Sequence, residues 1–209
     1  GASDTSAFDP EKYSTLNGYA ADIVEIGDEL GVRNGILVGH SVSAMIGALV
    51  AVQRPEMFST LVMVGPSPRY IDDGDYVGGF SAEDIEDLLT SLNDNPLAWS
   101  ASMAPAIVAN PDRPEFGQEL ADSFCKLDPA IANVFARATF KSDNRADLPK
   151  VTAKTLILQC RNDIIALEQV GEYVHNNIRG SKLVLLDASG HCPHLTAPEQ
   201  VTDAIRDFV

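Results

Sequence analysis

Ser41, Asp163 and His191 are residues of this 209-residue chain whose types, order and surroundings fit one chemistry, nucleophilic acyl transfer. A serine hydroxyl is a poor nucleophile at neutral pH. It needs a base within hydrogen-bond reach, and the base needs an acidic group to fix its tautomer and stabilise its charged form. Ser41 lies in Ile36-Leu37-Val38-Gly39-His40-Ser41-Val42-Ser43-Ala44-Met45-Ile46-Gly47. A short apolar run ends there at Gly39, and a second run, Ala44, Met45, Ala48, Leu49 and Val52, follows with helical spacing. That pattern is strand, sharp turn, helix, with the serine lifted above the end of a sheet. The turn is tight, so the residues two places either side of the serine must be small. Gly39 and Ser43 meet that demand, although glycine is commoner at the second place. Asp163 follows an apolar run at 155–160, and His191 follows another at 182–186. Nucleophile, acid and base thus come in the order Ser, Asp, His, each on a loop after a candidate strand.

Each role has rivals. His194 is a second candidate base, but Gly190 before His191 permits a tight turn at the sheet edge. His194 lies nearer the last helix and is expected to pack or cap. His40, inside the elbow, is expected to point away from the pocket in a structural role. Asp187 is too close along the chain to His191 to reach the far ring nitrogen easily. Asp143, in the polar stretch 141–145, follows no strand and reads as a helix cap. Cys192 lacks an elbow and reads as space-filling. An oxyanion hole also has to be supplied. The backbone N–H of Val42 is one donor. The second normally comes from a loop after an earlier strand, for which the chain offers no candidate. Only roughly forty residues precede Ser41, so the reading is a hydrolase fold lacking about fifty to sixty N-terminal residues. Such a half sheet would have an unpaired edge and an uncovered face.

The elements that must position these groups follow from periodicity. Leu16, Tyr19, Ile23, Ile26 and Leu30 predict a helix that stops at Gly31. A strand over 36–39, a helix to about residue 53 ahead of Pro55, and an apolar run over 61–65 come next. Short apolar runs alternating with helices predict a parallel sheet covered on both faces. After Gly65 a loop rich in Pro, Asp and Gly leads into helical stretches at 81–93, 96–109, 114–127 and 128–140, the first opening with a capping-box-like Ser81-Ala82-Glu83-Asp84. No convincing strand separates them. The expected organisation is core at 1–67, a helical lid at 68–148 and core again at 149–209. The last part holds a strand at 154–160, a helix at 167–178, a strand at 182–186 and a final helix from about Pro198.

Composition narrows the function classes. The net charge of −15 opposes binding to phosphate backbones, so no nucleic-acid partner is expected. No apolar run approaches the length of a membrane span, and no membrane association is expected. Cys125, Cys160 and Cys192 are odd in number without metal-ligand spacing, which fits reduced thiols in a cytoplasmic setting. Neither a metal nor an organic cofactor is implied.

The stretch 39–47, with Arg54-Pro55-Glu56-Met57-Phe58 and Val64-Gly65-Pro66-Ser67-Pro68-Arg69-Tyr70, closely resembles the RsbQ-type α/β-hydrolases. These are bacterial stress-signalling hydrolases, in the group to which the plant karrikin and strigolactone receptors also belong. Tyr76-Val77-Gly78-Gly79-Phe80, Phe140-Lys141-Ser142-Asp143, Leu158-Gln159-Cys160-Arg161-Asn162-Asp163-Ile164-Ile165-Ala166 and Gly190-His191-Cys192-Pro193-His194 extend the resemblance from Tyr13 onward. The segments around Cys160 and 191–194 look more like the bacterial branch. The resemblance implies an α/β-hydrolase fold, a mostly parallel sheet flanked by helices, with a V-shaped four-helix lid inserted after the second visible strand. It implies the same triad, Ser41, Asp163 and His191. It also implies an apolar pocket for a small hydrophobic ester, lactone or butenolide-like ligand. Phe80, Trp99, Met103, Phe124 and Phe140 are candidates for its wall by position. Two functions share these residues: hydrolysis, and a signalling receptor acting on a partner protein, which in the bacterial relatives is a phosphatase of the general stress pathway. A scaffold that leaves the triad unused is the third reading.

Overall fold

The computed structural model describes residues 4–209. Four strands, β1 (Gly35–His40), β2 (Phe58–Val64), β3 (Lys154–Asn162) and β4 (Lys182–Ser189), pair side by side in chain order, every pair parallel. Val38 lies opposite Val62, Val62 opposite Leu156, and Leu156 opposite Lys182. Parallel neighbours need crossovers. α2 (Val42–Gln53) joins β1 to β2, and α7 (Glu168–Asn177) joins β3 to β4. Between β2 and β3 run α3 (Ala82–Asp94), α4 (Pro96–Val108), α5 (Pro114–Cys125) and α6 (Pro129–Phe140). α1 (Leu16–Glu29) precedes β1, and α8 (Pro193–Thr196) and α9 (Pro198–Arg206) follow β4. Among the described residues no helix is long and apolar enough to cross a membrane.

Successive strand residues point to opposite faces, and an apolar cluster forms on each. Leu61, Met63 and Ile157 pack into a cluster with α1, α2 and α7. Val62, Val64, Leu156, Leu158 and Leu186 pack on the other face against Val201 of α9. α2 is apolar nearly all round, with eight of its twelve residues buried; a helix of that kind must be packed on all sides. It is the one whose N-terminus carries Ser41.

Local chemistry explains why the four consecutive helices start where they do. Ser81 Oγ accepts the Asp84 N–H at 3.0 Å and the Asp84 carboxylate accepts the Ser81 N–H at 2.8 Å, a reciprocal cap. Pro96, Pro114 and Pro129 occupy first helical positions, where a missing N–H costs nothing. The chain leading into this block and the chain leaving it are fastened together. Arg69 donates to Asp143 at 3.0 Å, Arg145 to Asp73 at 2.6 Å, and the Asn144 N–H to the Pro68 carbonyl at 2.8 Å.

Several expectations need correction. Ile26 and Leu30 of the α1 stripe are exposed. Leu16, Tyr19 and Ile23 of that stripe do pack into the core, and the buried face continues through Ala20 and Gly27. At Gly27 an added Cβ would sit 2.9 Å from the Met57 Cε, so the smallest residue, not the apolar one, makes the close approach. Ile36 and Val38 are also half-exposed, on β1 at the edge of the described sheet. Asp143 does not cap an α-helix. It belongs to the ion-pair cluster just described and also accepts the Arg145 N–H at 3.3 Å. Asp187 lies inside β4, where the Gln200 side chain bonds both its N–H and its carbonyl. Ahead of α1, Thr5–Ala7 and Lys12–Ser14 each form a single 3₁₀ turn.

Candidate active site

Ser41 sits between the last residue of β1 and the first of α2 with φ 56° and ψ −127°, a conformation that side chains strain to adopt. Two backbone bonds hold it: its N–H donates to the Val64 carbonyl at 2.8 Å, and its carbonyl accepts the Ala44 N–H at 2.9 Å. Gly39 must be glycine, because a Cβ there would lie 2.6 Å from the Ser43 carbonyl carbon and 2.7 Å from the Ala44 nitrogen. The size demand therefore falls on Gly39, while Ser43 is exposed and borders the cavity below. Ser41→Gly and Ser41→Ala both remove the hydroxyl and differ in how they tolerate φ 56°. Glycine is ordinarily the less stable of the two, but here Ser41→Gly is expected to be more stable than Ser41→Ala by about 1 kcal/mol, a melting temperature about 2–4 °C higher. Thermal denaturation of the two proteins measures this directly.

The other two residues reach Ser41 from the ends of β3 and β4. Asp163 is buried, and its Oδ1 accepts the N–H groups of Ile165 at 2.8 Å and Ala166 at 3.1 Å. Its Oδ2 lies 2.7 Å from Nδ1 of the buried His191, and Nε2 of His191 lies 2.6 Å from Ser41 Oγ. A carboxylate can only accept, so Nδ1 carries the proton and donates. Nε2 is then free to accept from the serine hydroxyl. The His191 loop is itself tied down: the Gly190 N–H donates to the Asn162 carbonyl and the His191 N–H to the Ile107 carbonyl, both at 2.8 Å.

The remaining histidines and cysteines have other work. His40 does not face away from the pocket as expected. It borders the cavity, and its Nε2 meets the His191 carbonyl at 2.6 Å, bracing the base loop from the elbow side. His194 packs on it, ring centroids 4.4 Å apart. Burial, with His191 alongside, pushes His40 down to about 3, and His194 is lowered for the same reasons in the same order. Burial raises Cys160 to about 12 and Cys192 to about 11, so both thiols stay protonated at neutral pH. Among the described residues no group of three or more His, Cys, Asp or Glu side chains could hold a metal ion.

The His40 shift has a sign that can be tested. Its folded value lies below the ordinary imidazole value, so the unfolded chain takes up more protons at intermediate pH. Stability is therefore complete above about 6.5 and lost progressively as pH falls toward about 3. His40→Gln removes that proton uptake. Urea unfolding at pH 7.5 and pH 5 should show a smaller acid loss in His40→Gln than in the unaltered protein. An equal loss in both would show that His40 accepts its proton without cost.

Ser41 and His191 border a cavity of about 360 Å³. Of the five candidate wall residues, Trp99, Phe124 and Phe140 border it. Phe80 and Met103 do not border it: they pack in the same apolar cluster as those three, with Tyr70, Ile85 and Leu89, but off the cavity wall. Phe80 is held there by a bridge to Ile71 at the head of α3. The wall residues that sequence reasoning missed include Leu120, Phe135, Thr139 and Ile165. For Phe135 and Thr139 a signal existed, since they share the four-residue spacing of one helical face. For Ile165, two residues after the acid, none did.

The geometry can be set beside known proteins. The family model described as the alpha/beta hydrolase family matches residues 1–204. The karrikin insensitive 2 receptor CA of Petunia hybrida is 39% identical over 202 residues, which are 96% of this chain and 75% of that protein. Strigolactone esterase D14 of Arabidopsis thaliana is 38% identical over 200 residues, 95% of this chain and 74% of that protein. Among solved structures, a hydrolase from Oleispira antarctica superposes with a TM-score of 0.96 at 37% identity, covering all (100%) of this chain and 77% of that one.

Proposed function

Because this chain belongs to the alpha/beta hydrolase family, we propose that it cleaves small, largely apolar carboxylic esters or lactones through Ser41, His191 and Asp163 with an acyl-enzyme intermediate. The observation that carries this reading is the unbroken hydrogen-bond chain from Asp163 through His191 to Ser41, opening into the apolar cavity. Ser41 Oγ attacks the carbonyl carbon as its proton passes to Nε2 of His191. The imidazolium so formed is stabilised by the Asp163 carboxylate. The tetrahedral oxyanion takes a hydrogen bond from the Val42 N–H, which heads α2 and so lacks an intrahelical partner. Collapse of the intermediate breaks the carbon–oxygen bond of the leaving group, which carries off the proton held on Nε2. Water, deprotonated by the same nitrogen, then attacks the acyl-enzyme, releases the acid and returns the proton to Ser41. In this reading residues 68–148 act as a lid, with core segments at 1–67 and 149–209.

A second reading, a receptor that binds and slowly cleaves a small ligand and then engages a partner protein, is favoured by one specific contact. The His191 N–H is bonded to Ile107 of α4, so a change of state at the base is felt by the proposed lid. The Petunia relative is named a receptor. The experiment is intact mass after treatment with a serine-directed fluorophosphonate, together with turnover of short-chain esters. One adduct mapping to Ser41 with rapid multiple turnover supports the hydrolase. An adduct with very slow turnover and ligand-dependent partner binding supports the receptor. No adduct and no turnover would sink both in favour of an unused site.

A further inference from the structure

Leu156, Ile157, Leu158 and Cys160 make the middle of β3 apolar, and Gln159 interrupts them while fully buried. On the face it shares with Ile157 it meets α7, where Gly171 leaves room for it: a Cβ there would stand 2.8 Å from Gln159 Cγ. Its Nε2 donates to the Ala166 carbonyl at 2.6 Å and lies 3.3 Å from the Cys160 carbonyl. Both neighbours are acceptors, so the nitrogen end of the amide must face them. Its Oε1 has no partner. A buried amide with one end unsatisfied is costly beside a methionine or leucine of similar size, so packing alone does not account for it.

The turn at 163–166 does. That turn carries the acid and also Ile165, which borders the cavity. Asp163 Oδ1 accepts the N–H groups of Ile165 and Ala166, but those bonds are internal to the turn. Among the described residues no backbone–backbone hydrogen bond ties 163–166 to the rest of the chain, and the bond from Gln159 is the one that reaches its backbone from outside. We propose that Gln159 is a positioning residue: by holding the Ala166 carbonyl to β3 it fixes the turn, and through the turn the direction from which Asp163 Oδ2 meets Nδ1 of His191. The inference rests on the hydrolase reading above and deepens it. Without the donor the buried Ala166 carbonyl is left unpaired, and the turn relaxes by moving that carbonyl toward another donor. Asp163 moves with it, and the error passes to His191 and to the proton transfer at Ser41.

Gln159→Met keeps the length and bulk of the side chain and removes the donor. With a short-chain ester, kcat should fall about ten- to hundredfold while KM stays within about twofold. A second readout needs no turnover. The Nδ1 proton of His191, shared with Asp163, gives a proton magnetic resonance far downfield of the amides, and that signal should shift or broaden away in Gln159→Met. Val170→Ala is the control for packing, since Val170 is a fully buried residue of the same helix that Gln159 faces. It should leave the signal in place and kcat within about twofold. The proposal is overturned by a Gln159→Met protein with kcat within about threefold of the unaltered one, by an unchanged signal, by a signal equally disturbed in Val170→Ala, or by absence of the signal from the unaltered protein. Should Gln159→Met not fold, Gln159→Glu is read in its place. It keeps the shape and donates to Ala166 only while its carboxyl is protonated. Its signal should be present in mildly acidic solution and lost in mildly alkaline solution, where the unaltered protein keeps it; a signal that follows the unaltered protein in both overturns the proposal. If the unaltered protein neither turns over esters nor takes a fluorophosphonate adduct, the hydrolase reading fails, and the signal alone then judges Gln159.

Discussion

Ser41→Ala should leave a folded protein that takes no fluorophosphonate adduct and has lost ester turnover by about 10⁴-fold or more in kcat. The size of the effect follows from what remains. Alanine keeps the turn between β1 and α2, keeps the Val42 N–H at the head of α2, and leaves His191 bonded to Asp163. What it removes is the one oxygen within reach of Nε2. Base and acid alone can only activate water, and water has no fixed position from which to attack. The loss should therefore appear in kcat, with ligand binding kept, and the melting temperature should stay within a few degrees of the unaltered protein. An Ser41→Ala protein with full turnover would assign the chemistry to another group. Cys192 follows the base and borders the cavity, but its burial argues against it, since a thiol raised to about 11 is protonated under assay conditions.

The sequence and the structure agree most closely where local pattern and chemistry coincide. The strand ends bearing Ser41, Asp163 and His191 are legible because each follows a short apolar run, and a parallel sheet brings the C-terminal ends of neighbouring strands to one edge. Helix starts in the block between β2 and β3 are legible from Ser81, Pro96, Pro114 and Asp128, whose caps and fixed φ angles act within one turn. What escaped prediction depends on distant partners. The His40 contact to the His191 carbonyl joins residues 151 apart in the chain, and nothing near His40 announces it. The exposure of Ile26 and Leu30 depends on how α1 rolls against α2 and Met57, which Gly27 decides. The cavity wall is the hardest case. Phe80 and Phe135 are equally apolar residues of the same segment, and only the packing of the helices against one another turns Phe135 to the cavity and leaves Phe80 off its wall.

Gly190→Ala is the substitution expected to do most damage without touching any group that reacts. Gly190 has φ 84°, which side chains rarely adopt, and an added Cβ would stand 2.6 Å from the carbonyl carbon of Val108 and well inside contact distance of its oxygen. Those atoms are backbone at the end of α4, so no rotamer change relieves the clash. The loop cannot simply back away either, because the Gly190 N–H is bonded to Asn162 and the His191 N–H to Ile107. Either the loop or the end of α4 must move, and strain plus overpacking together should cost about 2–4 kcal/mol, lowering the melting temperature by about 5–15 °C. Any displacement of the loop carries His191 with it, and an error of about 1 Å in the position of a base costs roughly 10²-fold in rate. The two readouts divide the causes. A fall in stability with kcat kept in the fraction that remains folded would mean that α4 yields and the base holds its place. A joint fall in both, with fluorophosphonate labelling of Ser41 slowed to match, would mean that the loop yields, and that the end of α4 is what holds His191 in line with Ser41.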